Sequence, residues 1–302
     1  MDLPTELSER LLVHEAQPLA GLTTLGVGGP APFVLEPRNR KDLMFAVGEL
    51  HKAGLPLAML GHGSNLLVSD EGLEQVVLHT RSLHSIYHHG EIDDALRCEA
   101  GAPLSRLVSL AHAQGLSGAE MLIGIPGTVG GAVAGNSGGR EGTISDILSE
   151  VTVVESDGTV KIVPCIPGEF AYRNSPFAGQ VVLDAVVQLK RQPKPAIMER
   201  MTQILKQKAL TQPLSSPTSG CMFKNPLGHS AGQLIDVAGC KDLAVGSARV
   251  STRHGNFFVN EGGTTAAEVM SLVAQVQQRV LESAGVRLEL EVELWGAFGS
   301  HS

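Results

Sequence analysis

The sequence lacks a basic run. Its 23 Lys and Arg residues are outnumbered by 31 Asp and Glu, giving a net charge of −8, and no segment collects a basic stripe. A polyanionic backbone is held by such a stripe, so nucleic acid is not expected as a partner. No apolar run approaches the ~18 residues of a membrane span. The opening MDLPTELSERLLVHEAQ carries early acids and has no apolar core of the kind a secretion signal needs. These absences predict a soluble, cytoplasmic chain with no membrane partner. Cysteine is also scarce. Cys98, Cys165, Cys221 and Cys240 include no C-x-x-C pair, and no histidine stands near them at zinc-ligand spacing. A disulfide framework and a metal site are therefore not expected. His84, His88 and His89 in HSIYHHG have no acidic partners at ligand spacing and read as a surface hairpin. No internal repeat is visible.

What the chain does have is size, apolar content and glycine. With 302 residues, 43% hydrophobic and 18% charged, it can bury a sizeable core and is long enough for two to three domains. APFVLEP reads as a strand. RKDLMFAVGELHKAG reads as a helix with Leu43, Val47 and Leu50 on one face and Gly54 as its C-cap. LPLAML and LLVS read as strands on either side of GHGSN, which gives a βαβ unit with a glycine loop at a strand end. Further on, EVTVVESDGTVKIVP is a hairpin signal with Asp157-Gly158 at its turn. LSRLVSLAHAQG, KPAIMERMTQILKQKAL, SAGQLIDVAG and TTAAEVMSLVAQVQQRVLESAG read as helices, the last with Thr264 as N-cap and Gly285 as C-cap. VRLELEVEL alternates strictly. It predicts one long strand with Val286, Leu288, Leu290, Val292 and Leu294 on one face and Glu289, Glu291 and Glu293 on the other.

The 35 glycines cluster, most densely in GVGGPA, GHGSN and GIPGTVGGAVAGNSGG. None of these is a Rossmann fingerprint, because Leu66 stands where the third glycine belongs and a strand follows. None is a P-loop, because no Gly-Lys-Ser/Thr follows. Exposed backbone N–H groups in a tight turn still suit an anionic ligand where no Cβ blocks approach. Two such loops point to a bound nucleotide or dinucleotide.

Eight segments occur in order: TTLGVGGPAPFVLEP, LGHGSNLLVSDEG, GLSGAEMLIGIPGTVGGAVAGNSGG, FAYRNSPF, SGCMFKNP, AGQLIDVAG, STRHGNFFVN and LELEVELWG. Together they resemble the successive motifs of the UDP-N-acetylenolpyruvoylglucosamine reductase family, from Leu22 to Gly296. GHGSN alone also occurs in other flavoproteins; its combination with YRNS, FKNP and EVELWG is specific. The resemblance implies an α/β (α+β) chain with the FAD-binding fold of the vanillyl-alcohol-oxidase type. Two parts, residues 1–79 with 293–302 and residues 80–200, would grip FAD. A C-terminal α+β part, residues 205–292, would hold the substrate. The short separation between Arg173 and Gly220 resembles the subtype that lacks a long substrate-closing loop. Implied cofactors are FAD, with NADPH as hydride donor. The implied partner is a UDP-sugar bearing an enolpyruvyl ether, and the implied state is a monomer.

The resemblance also implies site residues. For the cofactor they are Gly61, His62, Gly63, Ser64, Asn65, Leu66, Gly124, Ile125, Pro126, Gly127, Thr128, Gly130, Gly131 and Asn136. For the substrate they are Tyr172, Lys224, Asn225 and Asn256. Catalysis falls to Arg173, Cys221 and Glu291. Hydride addition to an enol ether beside a carboxylate builds negative charge that spreads into that carboxylate. The chemistry then needs a cation, a group for the enolate and an acid to protonate carbon. Arg173 matches the cation, since a guanidinium bridges a carboxylate through two N–H bonds. Glu291 matches the family's glutamate, although alternation alone cannot choose it over Glu289 and Glu293. Cys221 stands where the family most often has serine; a thiol, with an ordinary pKa near ~8.5, is a stronger acid than an alcohol. Cys98, Cys165 and Cys240 read as core. In KQKALTQP, Lys208 is the nearest match to the basic residues usual before QP. Two other functions stay open: a flavin oxidase or dehydrogenase of the same superfold on another substrate, and a nucleotide-binding homologue without catalysis.

Overall fold

Helical spacing of apolar side chains decides where the first long helix lies. Along Arg40–Lys52, Leu43, Ala46, Val47 and Leu50 are buried on one face. Asn39 caps its start by accepting the Asp42 amide at 3.1 Å. Ala53 closes the helix and Gly54 follows at φ +65°, one residue beyond the cap. The computed structural model describes residues 2–90 and 92–298. They gather into two compact units. Unit 1 takes Met1–Glu15, Phe33–His62 and Gln75–Gln207, and unit 2 takes Ala16–Pro32, Gly63–Glu74 and Lys208–Ser302.

Unit 1 carries two cores. In the first, the helices Thr5–Arg10 and Arg40–Lys52 pack on a sheet ordered Leu12–Pro18, Pro30–Glu36, Val76–His79, Leu57–Leu60. The last three strands are parallel, as a βαβ crossover requires. The second core fills an antiparallel sheet ordered Val160–Pro164, Leu148–Val154, Val181–Gln188, Ile92–Glu99, Ile86–His89, together with the helices Leu104–Gln114 and Val129–Gly135. The expected hairpin is there, with Val154 opposite Val160 and Gly158 at φ +84°. HSIYHHG also forms a hairpin, its strand Ile86–His89 pairing with Ile92–Glu99. At the centre of this sheet the fully buried Asp184 carboxylate is held by Arg97, Arg40 and the Thr152 hydroxyl. Cys98 is buried here, and that burial pushes its thiol pKa up to about 12. Cys165, expected in the core, is only half-buried; it follows the edge strand Val160–Pro164, where one side faces solvent.

Unit 2 is built on the helix Ala266–Ala284, whose Val269, Leu272, Val273, Val276 and Val280 fill a third core. Its N-cap is Thr265 rather than Thr264. The Thr265 hydroxyl accepts the Glu268 amide at 3.1 Å and the Glu268 carboxylate accepts the Thr265 amide at 3.0 Å. The Thr-x-x-Glu spacing of this reciprocal cap fits 265 and 268 only. Gly285 ends the helix at φ +66°, as expected.

The single strand expected over 286–294 does not form. Only Glu293–Trp295 is a strand, parallel to Leu66–Val68, and Leu290 makes an isolated bridge to Phe223. Between them the amides of Glu291 and Val292 converge on one acceptor, the Met222 carbonyl, at 2.9 and 3.5 Å. Two residues opposite one is a bulge, and it breaks the period-2 alternation. Leu288 and Val292 remain buried, but Leu294 is 37% exposed.

Among the described residues no helix is long and apolar enough to cross a membrane. No group of His, Cys, Asp and Glu among them could hold a metal ion.

Candidate active site

In unit 2 the segment 221–224 is laced on both sides by backbone bonds. Cys221 bridges Phe257, and the Met222 amide donates to the Asn256 carbonyl at 2.8 Å. On the other side the Glu291 amide donates to the Met222 carbonyl, and the Lys224 amide donates to the Glu289 carbonyl at 2.8 Å. Two more motifs join this assembly. The Asn65 side chain donates to the Glu291 carbonyl at 3.2 Å, and the Asn65 carbonyl accepts the Glu293 amide at 3.0 Å. Thr24 gives its amide to the Gly63 carbonyl at 3.1 Å and its hydroxyl to the Thr218 carbonyl at 2.7 Å. Segments from TTLG, GHGSN, SGCMFKNP, GNFF and LELEVEL thus meet within one unit.

The three glutamates that alternation left equivalent are now distinct. Glu291 is half-buried, whereas Glu289 and Glu293 are exposed. Glu289 lies 3.7 Å from the Lys224 ammonium, and the Glu293 carboxylate accepts the Trp295 indole N–H at 3.0 Å. Cys221 is half-buried.

Asn256 is 1% exposed, and both ends of its amide are taken by Phe223. The Phe223 N–H donates to Oδ1 at 2.9 Å and the Phe223 carbonyl accepts from Nδ2 at 2.7 Å. Its observed part is to order the 221–224 segment. The Asn256 backbone N–H in turn donates to His254 Nδ1 at 3.1 Å. Burial pulls the His254 pKa down, and the Lys241 charge adds to that. Asn225 Oδ1 accepts the Ala231 amide at 2.9 Å, at the start of the helix Ala231–Val237. Burial likewise lowers the pKa of Lys208. Ser219, to which sequence reasoning gave no role, buries its hydroxyl at 2% exposure without a hydrogen-bond partner.

In unit 1 two glycine loops approach closely. A Cβ on Gly61 would lie 2.4 Å from Thr128 Oγ1, so only glycine fits. That same oxygen caps the helix Val129–Gly135 by accepting the Gly131 amide at 3.4 Å. The amides of Val129 and Gly130 donate to Ala102 and Ala100 carbonyls at 2.9 and 2.8 Å. Gly130 is thereby explained by its approach to Ala100, whose Cβ would be 2.8 Å from an added one. Gly124 and Gly127 have φ +70° and +145°, backbone that side chains resist. The loop 61–66 divides between the units after His62, and at Gly63, with φ +60°, an added Cβ would lie 2.3 Å from the Leu22 carbonyl oxygen.

Arg173 sits at φ +53° in the tip of a tight hairpin closed by Ala171 and Asn174, whose amides and carbonyls bond reciprocally at 3.1 and 3.0 Å. A left-handed non-glycine residue costs about 1–2 kcal/mol, the kind of local strain that gathers at functional turns. The guanidinium lies 5.3 Å from the Tyr172 ring centroid and donates to the Gly138 carbonyl at 3.3 Å. Tyr172 is 52% exposed.

Comparison with known proteins joins these motifs. Residues 212–295 match the model of the UDP-N-acetylenolpyruvoylglucosamine reductase C-terminal domain, and residues 31–163 match an FAD binding domain. The UDP-N-acetylenolpyruvoylglucosamine reductase of Moorella thermoacetica is 40% identical over 297 residues, 98% of this chain and 96% of that one. The chain belongs to the UDP-N-acetylenolpyruvoylglucosamine reductase family. The Bacillus velezensis reductase is 38% identical over 94% of each chain. The crystal structure of the Thermus caldophilus reductase superposes with a TM-score of 0.81 at 39% identity, covering 95% of this chain and 99% of that one. The mixed α/β architecture with its FAD binding domain is the vanillyl-alcohol-oxidase type of FAD fold.

The residues present fit the cofactor that this reductase family implies. The Gly61 and Thr128 loops form a cradle that a Cβ would fill. Asn136 Oδ1 is buried without a hydrogen-bond partner, an acceptor suited to an N–H or O–H of a bound flavin.

Proposed function

We propose that this chain reduces the enolpyruvyl ether of UDP-N-acetylglucosamine enolpyruvate to UDP-N-acetylmuramate, a step of peptidoglycan precursor synthesis. The observation that carries this reading is a named reductase 40% identical across 98% of the chain. The lacing of the Asn65, Cys221 and Glu291 segments in unit 2 supports it. The chemistry that bound FAD would supply is a hydride, drawn from NADPH, for the enol ether.

The protein's own groups do the rest. The loops at Gly61 to Leu66 and Gly124 to Gly131, with Asn136, hold the cofactor. Arg173 pairs with the substrate carboxylate through two N–H bonds and keeps its charge as the enolate forms. Glu291 hydrogen-bonds the enolate or relays a proton. The Cys221 thiol gives its proton to the enolate carbon, forming the C–H bond as the S–H bond breaks, and the thiolate is reprotonated from water. Lys224, with its side chain 44% exposed, and Asn225 serve the diphosphate. The same reading makes the chain a cytoplasmic monomer with the UDP-sugar and NADPH as partners, checked by its elution mass.

The test is a single turnover without oxygen. NADPH should bleach the flavin, and the enolpyruvyl-UDP-sugar should restore its colour. Recovery by oxygen alone points to a flavin oxidase, and failure of NADPH to bleach points to a binding protein without catalysis. Arg173→Ala should keep FAD and bleach normally, yet turn over about 100-fold or more slower.

A further inference from the structure

We propose that Asn136 is a positioning residue for Arg173, clasping the turn that carries it while facing the cofactor with its other end. The inference rests on the reading of Arg173 as the carboxylate-binding group. Asn136 follows the helix Val129–Gly135 at φ +45°, where asparagine is among the few side chains tolerated. It is 2% exposed. Its Nδ2 donates to the Ala171 carbonyl at 2.9 Å. That same carbonyl accepts the Asn174 amide at 3.0 Å, so it is the hinge of the hairpin whose tip is Tyr172-Arg173. Two residues beyond Asn136, the Gly138 carbonyl accepts Arg173 Nη1 at 3.3 Å. The segment 136–138 therefore grips the turn at its base and at its guanidinium.

The chemistry selects an amide here. The acceptor is a carbonyl, so only the Nδ2 end can face it, and this turns Oδ1 away from it. Oδ1 is then a buried acceptor with no partner in the protein. Such an atom is costly to leave unpaired. A flavin brings donors, in its ring N–H and its ribityl hydroxyls, that would pair it. One side chain would then tie cofactor occupancy to the placement of Arg173. A left-handed arginine needs such bracing, because its own conformational preference works against the turn.

The test compares Asn136→Asp with the wild-type holoenzyme. Aspartate keeps the shape and the acceptor but, when ionised, loses the donor to Ala171. Because Asn136 also faces the cofactor, FAD binding is measured first, and the two half-reactions are then compared at saturating FAD. Flavin reoxidation by the enolpyruvyl-UDP-sugar should slow about 10–100-fold, the scale of a misplaced catalytic group. The deficit relative to wild type should shrink as pH falls, because a protonated carboxyl donates again. Asn136→Gly, which accepts φ +45° without strain but also loses the acceptor facing the flavin, should bind FAD more weakly and, once loaded with FAD, show the same slow reoxidation with no pH rescue; it stands in should the aspartate variant not fold. Wild-type reoxidation in either variant, or a loss cured by excess FAD, overturns the clasp. If Arg173→Ala is itself active, the underlying assignment of Arg173 falls instead.

Discussion

The amide of Glu291 donates to the carbonyl oxygen of Met222 at 2.9 Å. That bond ties the last motif of the chain to the residue after Cys221. Because Val292 reaches for the same oxygen at 3.5 Å, the chain bulges there, and Glu291 ends half-buried between two exposed glutamates. The three side chains should therefore differ sharply under one substitution. Glu291→Gln should lower turnover about 100-fold or more, the contribution of a positioned proton-transfer group, with FAD still bound. Glu289→Gln and Glu293→Gln should stay near wild type, since exposed surface changes cost within about 0.5 kcal/mol. Steady-state rates of the three variants decide it, and a dead Glu289 or Glu293 variant beside an active Glu291→Gln would reassign the role.

Cys221 carries the second prediction. Its segment is held by Phe257 on one side and, through Met222, by Glu291 on the other, so a small side chain can be exchanged without disturbing the backbone. Cys221→Ser should keep substantial activity, because a hydroxyl is still a donor. Cys221→Ala should let NADPH bleach the flavin at the wild-type rate but slow product formation about 100-fold. Rapid-mixing measurements separate the two half-reactions. Normal product formation by Cys221→Ala would make the thiol a packing group.

Gly61 tests the cofactor cradle. An added methyl would stand 2.4 Å from Thr128 Oγ1, the atom that caps the helix Val129–Gly135. Either the loops part or the cap breaks, and a lost Thr cap costs about 1 kcal/mol. Gly61→Ala should purify with a lower ratio of flavin to protein, while Gly21→Ala, whose Cβ meets nothing within 4 Å, should not. Equal flavin content in both would remove Gly61 from the cradle.

The elements that were legible in the sequence are those decided by neighbours within a few residues. Arg40–Lys52, the hairpin around Gly158 and the Gly285 cap follow from local spacing and turn chemistry. The stretch 286–294 was misread because its alternation reflects two partners in succession, Met222–Lys224 and then Leu66–Val68, and neither is visible from within the segment. The same limit applies to the site. Arg173, Cys221 and Glu291 were legible only as motif positions. The bonds of Asn136 to Ala171, Asn256 to Phe223 and Thr24 to Thr218 join residues far apart in sequence through backbone carbonyls and amides, which every residue has. No residue type at the far end advertises such a partner.

The last prediction concerns pH and begins at His254. Its Nδ1 accepts the Asn256 amide at 3.1 Å, so the ring is neutral in the folded state. Burial first, and the Lys241 charge second, hold its pKa below the ordinary 6.5. The unfolded chain then takes up a proton near 6.5 that the folded chain resists. Stability from this group is complete above that value and is lost as pH falls below it, because the unfolded state binds more protons there. Protonation also turns the Nδ1 acceptor into a donor facing the Asn256 N–H. Asn256 holds Phe223 through both amide atoms, so the Cys221 segment should loosen with it. Urea unfolding of the wild type should show stability dropping between pH 7.5 and 5.5. His254→Asn, which offers an acceptor of similar position and does not titrate, should flatten that drop. An unchanged slope in the variant would place the acid sensitivity elsewhere, with His79, also lowered by burial, the next group to replace.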